Sequence, residues 1–99
     1  MNVASLKLCK DLYELSGWSD TIENFRESAH LTKDRVPAYD LGYLMRKLPR
    51  QSHVYQFGAN EWLAYAPGSH DHSADTPENA ATKLCIELLN QGVLKKGAA

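Results

Sequence analysis

The sequence predicts an α+β fold: three helices packed on one face of a small antiparallel sheet, with a hairpin or three-strand meander between the second and third helices. Three observations lead there. Residues 74–94, ADTPENAATKLCIELLNQGVL, have the start signal, stop signal and broad apolar face of a long helix. Residues 4–16 and 37–48 also carry apolar side chains at helical spacing. Between the last two, residues 53–66 alternate in strand fashion on either side of Gly58-Ala59-Asn60, a three-residue hairpin loop.

The helix over 77–91 has the clearest ends. Thr76 offers a side-chain oxygen to a free N–H of the first turn, and Pro77 falls where no N–H is needed. Asp75 and Glu78 place negative charge at the positive end of the helix dipole, and Gly92 supplies the stop. Ala81, Leu84, Cys85 and Leu88 follow the i, i+3, i+4, i+7 rule, and Ile86 and Leu89 widen the stripe. Asn79, Lys83, Glu87 and Asn90 make the solvent face. A helix this apolar needs cover on more than one side, from a sheet and from another helix.

The helix over 4–16 carries Ala4, Leu8, Leu12 and Leu15 as its stripe, with Cys9 at the edge. Gly17 ends it, and Trp18 is placed to pack back against Tyr13 or Leu12. Residues 21–25 fit a short strand or a turn of helix, and the polar stretch 27–35, with His30, reads as a loop. In the helix over 37–48, Pro37 opens and Pro49 closes. Ala38, Leu41, Leu44, Met45 and Leu48 form the expected buried face. On the other side Tyr39 and Tyr43 stand four apart with Arg46 beside them, Lys47 flanking and Arg50 just beyond. Tyrosine and arginine dominate binding hot spots, so these five residues form the expected partner-binding ridge. After Pro67-Gly68, residues 69–74 return as a third strand.

Ninety-nine residues with 43% hydrophobic content suffice for one core, so residues 1–99 read as a single α+β domain with 95–99 as a frayed tail. The net charge of -1 gives no global drive toward nucleic acid or anionic membrane. No apolar run approaches the roughly 20 residues of a membrane span, and the N-terminus lacks a secretory apolar core, which points to a cytoplasmic protein. Cys9 and Cys85 have no ligand spacing and read as buried, reduced thiols.

His70-Asp71-His72, with Asp75 nearby, is the one cluster of weak metal candidates. His70 and His72 share a strand face, but the third ligand zinc needs is not evident, so no metal and no cofactor is expected. No G-x-S-x-G, P-loop, G-x-G-x-x-G or H-E-x-x-H is present, which leans away from an enzyme. Charge is uneven. Residues 33–50 hold five basic and two acidic residues, whereas 51–80 hold four acidic residues and no Lys or Arg. Such a dipolar surface suits a protein partner, either another copy or a host protein, and argues against nucleic acid.

Three segments together carry a resemblance: LYELSGW at 12–18, YDLGYLMRKLP at 39–49 and ADTPENAATKLCIELLNQG at 74–92. They resemble a group of small proteins encoded by phages and prophages. The resemblance implies a small accessory protein and brings no activity and no functional residues with it. The hairpin followed by TPENA also resembles small antitoxin-like α+β modules, which would make the chain a nucleic-acid-associated regulator.

Overall fold

The computed structural model describes residues 2–25 and 36–97, apart from the side chain of Glu23. The expected loop over 27–35, with His30, lies outside the described residues. The order of elements is α1 (Leu6–Ser16), β1 (Glu23–Phe25), β2 (Val36–Ala38), α2 (Leu41–Lys47), β3 (His53–Gly58), β4 (Glu61–Tyr65), β5 (His72–Ala74) and α3 (Pro77–Asn90). The class is α+β. Strands β3-β4-β5 form an antiparallel meander, and β1 and β2 form a separate antiparallel pair.

α3 behaves as its local signals dictate. The Thr76 side chain accepts the Asn79 N–H at 3.1 Å, Pro77 is the first helical residue, and Gly92 takes φ 78° just past the end. Val93 and Leu94 then donate back to the Leu88 carbonyl, and Leu94 packs on the core while Val93 stays exposed. α3 lies against β3, β4 and β5, and α1 and α2 pack on α3. Leu84, Leu88 and Cys85 on α3, Leu12 and Cys9 on α1, and Leu44 on α2 meet in one buried cluster. Both cysteines are buried free thiols, and burial pushes Cys85 up to about 12.

α1 starts one residue after Ser5, whose side chain accepts the Leu8 N–H, and ends at Gly17 with φ 70°. Trp18 is buried as expected, in the same core cluster as Leu12, while Tyr13 is 38% exposed. Trp18 lies beside Tyr43, with ring centroids 6.4 Å apart, and its indole N–H donates to the Lys95 carbonyl at 3.3 Å. Residues 95–97, expected to be frayed, are therefore tied down: the Gly97 N–H also donates to the Ser16 carbonyl. A Cβ at Gly97 would stand 2.9 Å from Trp18 Cδ1, so glycine alone fits there.

The second helix departs most from expectation. It begins at Leu41, and residues 36–38 are strand. Val36 before a proline favours extended backbone, and Val has no side-chain acceptor with which to cap a helix. The cap is Asp40, whose carboxylate accepts the Tyr43 N–H at 2.8 Å. Ala38 and Tyr39 therefore lie outside the helix, and the buried side of α2 runs through Tyr43 and Leu44 toward Leu48. Tyr39 is the residue between strand and helix, and it points inward. Met45, expected inside, is 38% exposed.

The hairpin turn is also tighter than expected. Gly58 pairs with Glu61 as part of β3, Phe57 is the extra residue where the register shifts, and Asn60 takes φ 58° in the two-residue turn.

Candidate functional site

The ridge expected from Tyr39, Tyr43, Arg46, Lys47 and Arg50 is not an exposed surface. Tyr39 is 0% and Tyr43 4% exposed. The Tyr39 hydroxyl donates to the Trp18 carbonyl, and the Tyr43 hydroxyl donates to the Asp20 carboxylate. Burial raises both phenols, and Asp20 raises Tyr43 further; the same bond lowers Asp20. With Trp18 they make a buried aromatic cluster that joins the end of α1 to the start of α2, the two tyrosine rings 5.3 Å apart. Lys47 Nζ stands 5.2 Å from the Trp18 ring centre and 5.3 Å from that of Tyr43, and the Arg46 guanidinium stands 5.8 Å from Tyr43. The two cations roof the aromatics with their charged heads toward water. Arg50 is exposed beyond the helix.

His70 and His72 do come together, but on a carboxylate. His70 Nδ1 lies 3.0 Å from Glu87 Oε2, and His72 Nε2 bonds Oε1 of the same group. The His70 backbone N–H and the Gln91 amide also donate to Glu87. Glu87 was expected on the solvent face of α3, yet its side chain is only 12% exposed, because β5 and the turn before it fold over that face. Lys83 likewise donates to the Ser73 carbonyl at 2.9 Å. Both histidines bond the carboxylate directly. Among the described residues no group of three His, Cys, Asp or Glu is arranged to hold a metal.

This latch has a pH dependence. Burial opposes the Glu87 charge, but the bonds from His72 and His70 outweigh it and hold the carboxyl below its ordinary range. A folded value below the unfolded one stabilises the fold above the unfolded value and loses that contribution as pH falls. Wild type should therefore lose more stability than Glu87→Gln between about pH 5 and pH 3. Urea midpoints at the two pH values check this, and equal losses would remove the latch as a source of acid sensitivity.

The surface that sequence reasoning left unassigned is on the meander. His53 pairs with Tyr65, Tyr55 with Leu63, and Leu63 with Ser73, so these residues share one sheet face. Val54 and Ala64, on the other face, pack into the core. The outer face is aromatic. The His53 and Tyr65 rings stack at 5.1 Å, and Tyr55 meets Tyr65 edge-on at 6.3 Å. Tyr55 is 46% and the neighbouring Phe57 49% exposed. Alternation reveals these two faces in the sequence, but both are partly apolar, so only packing tells which is inside.

None of the described helices is long and apolar enough to cross a membrane. Comparison of the chain with protein families, curated proteins and solved structures found no match.

Proposed function

We propose that this chain is a non-enzymatic, cytoplasmic accessory protein of phage or prophage type that works by binding a protein partner. The binding surface in this reading is the outer face of β3-β4, and the single observation that carries it is the aromatic group of exposed Tyr55, Phe57 and His53 around half-buried Tyr65. Isolated exposed aromatics are ordinary, but adjacent ones on a sheet suit a covered surface. We infer further that all three helices lie on the inner side of the meander, leaving this face for the partner. Every residue of β3 is uncharged apart from a histidine, and the one fixed charge that β3 and β4 carry is Glu61, exposed at the start of β4, so docking over Tyr55 and Tyr65 desolvates little charge. A host protein or a second copy of the chain would each satisfy this surface.

Tyr55→Ser and Phe57→Ser test the reading. Each should weaken capture of the partner from a host-cell extract, or self-association in sedimentation, by about 1–2 kcal/mol. Stability should change by less than about 0.5 kcal/mol, because both side chains are half exposed. Undiminished association in both variants would contradict the proposal.

The same aromatics favour one second reading, stacking of single-stranded nucleic acid. Residues 51–80 offer no Lys or Arg to the phosphates. Steeply salt-dependent oligonucleotide binding would support this alternative.

A further inference from the structure

Glu78, in the first turn of α3, is 7% exposed, and its carboxylate has no hydrogen-bond or ion-pair partner among the described residues. A buried carboxylate without a partner is costly, and native structures rarely keep one without a use. It lines a cavity of about 460 Å³ together with Asn2, Val3, Trp62, Asp75 and Thr76. Asn2 and Asp75 are exposed and set the mouth at the surface.

The walls are held in place. Asn79 accepts the Ser5 N–H at 2.7 Å and donates to the Asp75 carboxylate at 2.9 Å, bracing α3 against the N-terminal segment. Ala4 donates to the Tyr39 carbonyl, and Val3 bridges Asp40. Trp62 comes from β4 and supplies an aromatic wall.

The field inside is negative. Asp75 and Glu78 set two carboxylates against the roughly half positive charge that the N-terminus of α3 contributes. An indole beside two carboxylates suits an organic cation: the ring faces the alkyl stem and the charged head, and the carboxylates receive its N–H groups.

We propose that this cavity is a binding site for an alkylammonium group, the side chain of a lysine presented by the protein partner. The proposal rests on the reading above that the chain binds a protein partner; Trp62 shares the inner sheet face with Val54 and Ala64, so this contact lies off the aromatic face and is a separate one. It also gives the acidic, Lys- and Arg-free stretch 51–80 a role.

The test is an NMR titration of the whole protein with N-acetyl-lysine methylamide, using the norleucine analogue as the uncharged control. The Trp62 indole and Glu78 amide signals should shift with the lysine probe and not with the control. The Trp18 indole, bonded to Lys95, should stay still and serves as the internal reference. Glu78→Gln should weaken the response by about tenfold, the worth of one charge-assisted hydrogen bond. Asp75→Asn, at an exposed residue, gives the same reading if the first variant folds poorly. Butylammonium binding as well as the capped lysine would assign the site to the ammonium alone, and tighter binding of the capped lysine would assign it to a protein side chain. Unmoved Trp62 at tens of millimolar probe, or equal shifts with norleucine, overturns the proposal. If that occurs while Tyr55→Ser still abolishes capture, the cavity assignment fails and the partner surface stands. An intact titration with capture insensitive to Tyr55 separates the two in the other direction.

Discussion

Truncating Tyr39 to alanine is expected to cost about 3–5 kcal/mol, the range for removing a large aromatic from a packed interior. The ring is fully buried against Tyr43, and its hydroxyl satisfies the Trp18 carbonyl. Tyr39→Phe should cost about 1–3 kcal/mol, because it keeps the packing and orphans that carbonyl. Small domains hold only about 5–15 kcal/mol in total, so the alanine variant should unfold at far lower urea. A Tyr39→Ala protein as stable as wild type would restore the tyrosine to the surface and the expected ridge with it.

The second large effect concerns α3. Leu84 is fully buried in the middle of that helix, which packs on the meander with α1 and α2 resting on it. Leu84→Ala should cost about 2–5 kcal/mol, the larger values applying where the surroundings cannot close the cavity. Val93→Ala, at a residue 55% exposed just past the helix, should change stability by less than about 0.5 kcal/mol. Chemical denaturation of the pair checks both, and similar costs at the two positions would contradict this description of the core.

What the residues disclosed follows from how local each signal is. Thr76-Pro77 and Gly92 act within one turn of the backbone they shape, and α3 was legible for that reason. Val36-Pro37 looks like the same start signal, but valine has no oxygen with which to cap. The true cap, Asp40, lies four residues after Val36, in reach of the Tyr43 N–H. That shift put Tyr39 outside the helix and into the core, whereas Tyr43 is buried because α2 turns its Tyr43, Leu44 and Leu48 side inward. β1 and β2 pair across a ten-residue gap, between Phe25 and Val36, so neither strand had local support. Glu87 matched a solvent phase on its own helix. Its partners, His70 and His72, sit 17 and 15 residues earlier, and periodicity within one helix cannot register them.

The candidate sites were less legible than the fold for a related reason. The alternation of Tyr55, Leu63 and Tyr65 is visible in the sequence, but only the packing of Val54 and Ala64 on the core turns the aromatic set outward. Glu78 looks like an ordinary helix-dipole residue. Its isolation becomes visible only when Trp62 and the N-terminal segment close over it.

Site-specific photocrosslinking tests the central claim most directly. A photoreactive phenylalanine analogue placed at Tyr55, in the protein expressed in its host cell, should yield a discrete adduct with the partner. The same analogue at Tyr13 on α1 or Met45 on α2, both 38% exposed, should yield none. Adducts from the helix positions with none from position 55 would contradict the assignment of the aromatic sheet face as the binding surface.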